Sequence, residues 1–405
     1  MSSSVNKFKI LILGGYGVFG KRLTSELMKI PHFSNKTNVG TNFDIIIGGR
    51  NLQNAQEFAH RLNAAKPINN GHSSPFTASA SGISVDIHNE QHFKKTLREL
   101  QPNLVIHTCG PFQGQNYHVA EECIENGVHY LDLADSREFV SQFSKHLNEK
   151  ALKHNVVAIS GVSTVPGISS SVIDYCSREH NEFGFTEIHK VECSVSPGNR
   201  APRGESTMRA VLSYCGKPIP MVENNTKINV IGWQGLKQIQ LKGLSSTRYV
   251  SYCDVPDIDL FPEYYPHLKE YKFRAGLELG IFQFGLLGMS YLTRMGIVND
   301  WASKAPLLKK ISEWFYNMGT DSGGMQMIMT GKDRQHNEKI VQFDLIALKG
   351  DGPQIPSTPA VILARKIAQN ELKVGAQPCI GQFTLDELMA ALKEFNISHS
   401  FSVGK

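Results

Sequence analysis

The run FKILILGGYGVFGKRL at residues 8–23 limits the possible fold more than any other feature, because an apolar segment passes directly into four glycines within seven positions. Six residues of this kind read as a strand buried on both faces, and Lys21 to Ile30 continues with helical spacing. Gly15, Gly17 and Gly20 fit G-x-G-x-x-G, and Gly14, Gly17 and Gly20 also fit G-x-x-G-x-x-G. At a strand–helix junction the first glycines allow a tight turn, Gly17 lets backbone approach a pyrophosphate, and Gly20 lets the helix press on the sheet. The helix start, with Val18 and Phe19 in its first turn, then offers free N–H groups to phosphates. A dinucleotide site is the expectation. The bland alternative is a loop of the same fold that has lost its cofactor.

The rhythm of the next hundred residues supports the same architecture. Strand patterns at 43–47, around Val85, and at 104–107, 130–133 and 156–159 alternate with helical patterns at 52–62, 93–100, 117–126 and 137–153. Such alternation predicts a parallel sheet covered on both faces. Two Gly/Ser/Asn-rich stretches, 32–42 and 63–82, read as surface loops. Beyond about 165 the pattern changes. A helix over 168–180 leads into strand-like segments at 187–196, 226–231, 236–242 and KIVQFDLIALKG at 339–350. Together these predict an α/β fold: a Rossmann-type parallel-sheet domain over 1–165 and a second, mixed α+β domain over 166–355. A helical segment over 356–405 is expected to pack back on the first domain.

The strand ends locate the remaining candidate groups. The second strand ends in IIIGGRN, without the acid that accepts from an NAD ribose 2′-hydroxyl. Arg50 suits a 2′-phosphate through its guanidinium fork, with Asn51 or Gln53 adding a neutral hydrogen bond, so NADP is favoured and NAD stays possible. Arg50 also fits the start of a solvated helix. Asp86 closes the third strand beside the adenine position, although Asn89 nearby has the look of a helix cap. Cys109, Gly110, Pro111 and Phe112 follow the fourth strand, where nicotinamide is expected. Cys109 reads as a packed thiol and His107 as a histidine satisfied inside the sheet.

Bulk properties exclude several classes. At 405 residues, 41% hydrophobic and 20% charged, with 42 basic and 37 acidic residues, the chain has an ordinary globular balance and no case for nucleic acid. Seven cysteines without a CxxC argue against a zinc site or a disulfide framework and suit the reducing cytoplasm. MSSSVNKFKI shows no secretion signal. LGIFQFGLLGMSYLT, 279–293, has no charge, yet its 15 residues fall short of the about 20 that a span needs. It reads as a buried or subunit-contact helix in a homo-oligomer. The alternative is an in-plane peripheral membrane anchor helped by Lys304, Lys309 and Lys310.

GGYGVFG, GGRN at 48–51, CGPFQGQNYHVAEECIENGVHYLDLADSREF at 109–139 and GVSTVPGISSSVI at 161–173 resemble the saccharopine dehydrogenase-like oxidoreductase family. The resemblance is good over about residues 8–175, becomes patchier through GNRAPRGESTMRA at 198–210, and reappears near the tail. It implies a Rossmann domain joined to a second α/β domain, and NAD(P)-linked redox chemistry on an imine formed from an amine and a carbonyl compound. It also implies pyrophosphate contacts at Gly15, Gly17 and Gly20, a 2′-side residue at Arg50, and a nicotinamide loop at Gly110, Pro111 and Phe112. Relatives carry YxDxxGE where this chain reads YLDLADS at 130–136, which leaves Asp135 as the carboxylate near the crevice. Asp135 is thus the candidate acid or base, His129 an alternative proton partner, and Arg203 and Glu205 candidate substrate contacts or plain surface residues. The substrate expected is small and amino-acid-derived. The rivals are a non-catalytic nucleotide sensor and a membrane-surface oxidoreductase with an apolar substrate.

Overall fold

The first apolar run forms β1 (Asn6–Leu13), and Ile10 to Leu13 within it are fully buried, as a strand flanked by helices on both faces must be. In the computed structural model, which describes residues 6–29, 33–34, 40–65, 78–178 and 183–404, this strand lies near the middle of an eight-stranded sheet. The others up to residue 160 are β2 (Phe33–Ser34), β3 (Gly40–Gly49), β4 (Ser79–Ser84), β5 (Leu104–His107), β6 (His129–Asp132) and β7 (Val157–Ser160). The helices between them are α1 (Val18–Lys29), α2 (Leu52–Ala64), α3 (Glu90–Leu100), α4 (His118–Glu125) and α5 (Arg137–Lys153). β4, β3, β1, β5, β6 and β7 pair in that spatial order, all in parallel, and only β2 runs against its neighbour. The chain reverses direction across the sheet between β1 and β5, which opens a crevice at their carboxyl ends.

Asn51 and Asn89 cap α2 and α3, each accepting a backbone N–H three residues on at 3.0 Å. Two loop expectations need correction. β3 begins at Gly40 inside the 32–42 stretch, and β4 lies largely inside 63–82, with Val85 just beyond it. Residues 35–39 and 66–77 of those stretches lie outside the described residues. β4 reads as a loop because SASGIS is small and polar, but small size is what the position requires. A Cβ on Gly82 would sit 2.4 Å from the backbone of Ala55 in α2.

After a turn at Thr164–Ile168 and α6 (Ser169–Cys176), the chain builds a second sheet of nine strands. The expected helix at 168–180 therefore stops at 176, and residues 179–180 lie outside the described residues. The elements are β8 (Phe185–Ser196), α7 (Glu205–Ser213), β9 (Pro218–Glu223), β10 (Thr226–Ile231), β11 (Lys237–Ile239), β12 (Arg248–Tyr252) and α8 (Asp257–Tyr264). They continue through β13 (Glu270–Ala275), α9 (Gly280–Arg294), α10 (Ala305–Trp314), β14 (Gly323–Asp333) and β15 (Glu338–Ala347). β13 and β8 run parallel and the other pairs antiparallel, so the sheet is mixed.

The tail is not simply helical. α11 (Gln354–Ala368) packs against α1, then β16 (Gly375–Pro378) joins the first sheet beside β7, α12 (Leu385–Leu392) follows, and β17 (Ile397–Gly404) joins the second sheet beside β15. GAQP carries no apolar alternation because β16 lies against α5, where Ala376 N–H donates to Asn148 Oδ1 at 2.9 Å. The return to the first domain is real, and it includes a strand.

α9 departs from the buried-helix expectation. Its inward positions are Gln283, Leu286 and Ser290, while Ile281, Phe284 and Tyr291 face out, continued by Met295. Gln283 accepts from Leu277 N–H and donates to Ser251, and Ser290 donates to the Gly232 carbonyl, so the polar groups are what anchor the helix. α10 adds exposed Leu307 and Trp314, the latter 81% exposed. Among the described residues no helix is long and apolar enough to cross a membrane.

Candidate active site

Parallel strands bring their carboxyl ends to one edge, so the loops after β1, β3, β4, β5 and β6 meet there. Gly14 has φ +75°, and Gly14 and Gly15 both donate to the Gly48 carbonyl, at 2.9 and 3.2 Å, which fastens the glycine loop to the end of β3. A Cβ on Gly20 would lie 2.2 Å from the Gly14 carbonyl oxygen, so α1 can cross the loop only without a side chain there. Gly17 is exposed, and a Cβ on it would meet only that same oxygen, at 3.0 Å. Lys21 N–H returns to the Gly17 carbonyl at 3.0 Å, leaving the amides of Val18, Phe19 and Gly20 as the unpaired first turn. Open backbone over a positive helix end fits a pyrophosphate.

At the adenosine side the predicted residues divide. Arg50 is exposed, and its guanidinium has no partner among the described residues. Asn51 spends its side-chain oxygen on capping α2, and its N–H donates to the Tyr16 hydroxyl at 2.9 Å. Asp86, half-buried at the crevice edge, accepts His88 N–H at 3.0 Å in a local turn. Tyr16 escaped the sequence reading, although a large side chain at a loop position that often holds a small one is a visible signal.

At the nicotinamide side, Gln115 donates to the carbonyls of Cys109 (2.9 Å) and Pro111 (2.7 Å), and so shapes the 109–115 loop around a cis Gly110–Pro111 bond. Burial pushes the Cys109 thiol up to about 12, so it is a packed neutral thiol at working pH. Phe112 turns its ring inward, 4.9 Å from His107 and 5.3 Å from Phe139, and leaves only backbone for a ligand. His107 is buried beside the Tyr130 hydroxyl at 3.0 Å, and burial pushes it down to about 3.

Asp135 lies beside this loop, where Gln113 Nε2 donates to its carboxylate at 3.3 Å. Burial raises its pKa, with the Gln113 bond opposing. Its loop is pinned by Asp132, whose Oδ1 accepts from Ala134 N–H, Ser160 Oγ and Gly161 N–H at 3.0, 3.0 and 2.8 Å. Burial raises Asp132 to about 6 against those three bonds. His129 is not a proton partner here. It begins β6, so it sits at the opposite edge of the sheet, where its Nδ1 accepts Val157 N–H at 3.0 Å. A polar cavity of about 280 Å³ at that edge, lined by Arg98, Asn103, Asn126 and His129, is remote from the crevice.

The second domain closes over the first at α7. Ser206 Cβ lies 3.6 Å from where a Gly110 Cβ would be, and a Gly204 Cβ would be 3.9 Å from Val18. Glu205 is held by Arg209 at 2.8 Å, and Arg203 donates to the carbonyl and side-chain oxygens of Asn199 over the Phe282 ring. Both are committed within their own domain, and Ser206 is the side chain from this loop that lies over Gly110. Arg137 joins the domains by pairing with Asp254 and Asp259, each at 2.7 Å. No cluster of metal-ligating side chains occurs among the described residues.

Comparison with known proteins agrees with this geometry. Residues 10–164 match the saccharopine dehydrogenase NADP binding domain. Saccharopine dehydrogenase-like oxidoreductase of Mus musculus is 24% identical over 169 residues, 41% of this chain and 37% of that protein. Its Rattus norvegicus counterpart is 24% identical over 168 residues, again 41% of this chain and 37% of the relative. The match thus spans little more than a third of the relatives' length. The apo structure of saccharopine dehydrogenase (L-Glu forming) from Saccharomyces cerevisiae superposes with TM-score 0.63 at 12% identity, over 98% of this chain and all of that one. That likeness concerns the fold, and both domains take part in it.

Proposed function

We propose, from the premise that residues 10–164 belong to the saccharopine dehydrogenase NADP-binding domain family, that this protein is an NADP-linked oxidoreductase acting on a small C–N or C–O substrate. NAD is the poorer cofactor, and the substrate is amino-acid-derived. The bound dinucleotide supplies or accepts a hydride at its nicotinamide ring. The protein's own share is positioning and one proton.

The observation that carries this reading is Asp135, a carboxyl beside the Gly110–Pro111 loop, held by Gln113 and shifted upward by burial. A carboxyl at that point can give a proton to, or take one from, the substrate nitrogen or oxygen. The start of α7 brings Ser206 over Gly110, beside that carboxyl's loop. Asp135→Asn keeps the Gln113 contact but cannot exchange a proton. With amines and oxo acids as substrates and NADPH oxidation followed by absorbance, this variant is expected to lose about 10²- to 10⁴-fold in rate at unchanged nucleotide affinity. Turnover at the unaltered rate removes Asp135 from the mechanism. Nucleotide binding without turnover on any such substrate favours a non-catalytic sensor.

A second reading has its own observation. The outward apolar face of α9 and α10, with Trp314 and Tyr291 among exposed Arg294, Lys304 and Lys310, suits peripheral contact with an anionic bilayer from the cytoplasm. Co-sedimentation with vesicles containing phosphatidylserine, lost in Trp314→Ser, supports it. A dimer in light scattering that this substitution dissociates assigns the face to a second copy instead.

A further inference from the structure

Tyr16 occupies the middle of the glycine loop, yet it acts at the end of β3. Its ring lies against Gly49, where a Cβ would come within 2.3 Å of it, and its hydroxyl accepts Asn51 N–H at 2.9 Å. A phenol accepts through its lone pairs and donates one proton. With Asn51 on the accepting side, the Tyr16 proton has no acceptor among the described residues, and the residue is half-buried rather than enclosed. The adjoining Arg50 guanidinium is unpaired as well.

The end of the second strand in sequence order after β1 is where a Rossmann site meets the 2′-group of the adenosine ribose. Here that point is lined by donors, and IIIGGRN places no carboxylate at it. The Asn51 side-chain oxygen is occupied as a helix cap and the Asn51 N–H by Tyr16, so neither of these two groups is left for a ligand. A 2′-hydroxyl is neutral and gains no charge-assisted bond from a guanidinium and a phenol. A 2′-phosphate brings several acceptor oxygens and negative charge, which both Tyr16 and Arg50 satisfy.

We propose that Tyr16, through its uncommitted hydroxyl proton, is a specificity-determining residue that binds the 2′-phosphate together with Arg50. The inference rests on the NADP-linked reading above and adds a residue to it. Removing the oxygen also frees Asn51 N–H, but the ring on Gly49 remains, so Tyr16→Phe preserves the loop packing. The discriminating experiment is titration calorimetry of unaltered chain and Tyr16→Phe with NADPH, NADH, 2′,5′-ADP and 5′-AMP. The expected result is a loss of about tenfold or more for NADPH and 2′,5′-ADP, with NADH and 5′-AMP changed less than twofold. Equal weakening of both nucleotide pairs makes Tyr16 a structural prop and overturns the proposal, as does unchanged NADPH binding. If the unaltered chain binds NADH and NADPH alike, the 2′-specificity itself is wrong. If it binds neither, the dinucleotide reading fails first, which is a separate result.

Discussion

Asp257→Asn should make the protein more stable at neutral pH and nearly indifferent at acid pH. Asp257, at the start of α8, is fully buried and accepts from Ser169 Oγ at 2.6 Å and from Tyr271 Oη at 2.7 Å, both on Oδ2, while Oδ1 is unpartnered. Burial raises its pKa from 3.8 to about 7, with the two hydroxyl bonds opposing. Because the folded state holds the proton more tightly than the unfolded one, the contribution to stability is fully present below about 3.8 and is lost as pH rises through about 7. A shift of about three units corresponds to about 4 kcal/mol at most, at about 1.4 kcal/mol per unit. Asparagine presents an oxygen to Ser169 and Tyr271 and never ionises. Urea unfolding of both proteins at pH 4.5, 6 and 8 isolates this group, since all other carboxyls are common to them. The stability difference should grow steadily in favour of the variant, by a few kcal/mol across that range. A difference that does not change with pH refutes the argument, because it means that the carboxylate is solvated or compensated and titrates alike in both states.

Gly20→Ala should abolish nucleotide binding and cost about 1–3 kcal/mol, because its methyl would meet the Gly14 carbonyl oxygen at 2.2 Å; NADPH titration and urea unfolding check both halves. Cys109→Ala should leave turnover within a few-fold and abolish nothing, since the thiol at about 12 is not a nucleophile; NADPH-oxidation kinetics test this. Arg137→Ala should destabilise the domain contact by about 1–3 kcal/mol, because it strips the partner from half-buried Asp254 while Asp259 keeps Lys227; limited proteolysis between the domains should speed up.

The parallel sheet was legible wherever a strand is buried on both faces, as at Ile10–Leu13 and Leu104–Ile106, because such runs must be apolar throughout. It was illegible at SASGIS and GAQP, where closeness to α2 and α5 demands small residues and the periodic signal disappears. The helix at 280–294 was legible as a helix but not in its orientation, since the fold buries Gln283 and Ser290 and turns Ile281 and Phe284 outward. At the candidate site, Gly17 was named from the glycine spacing, Arg50 from its place at a strand end and Asp135 from the family resemblance. The inward turn of Phe112, the capping duty of Asn51 and the approach of Ser206 depend on partners far away in the chain, which no local pattern records.

The late arrival of β16 beside β7 has a consequence for synthesis. From the emergence of Ser160 until Gly375 leaves the ribosome, the nascent first domain carries a bare parallel edge. At about 5–20 residues per second that interval is roughly ten to forty seconds, long enough for another strand to pair there. A message cut short anywhere in between therefore yields a product with a formed glycine loop and an open sheet. Such a fragment is a template for aggregation, and a natural client for chaperones that shield strand edges.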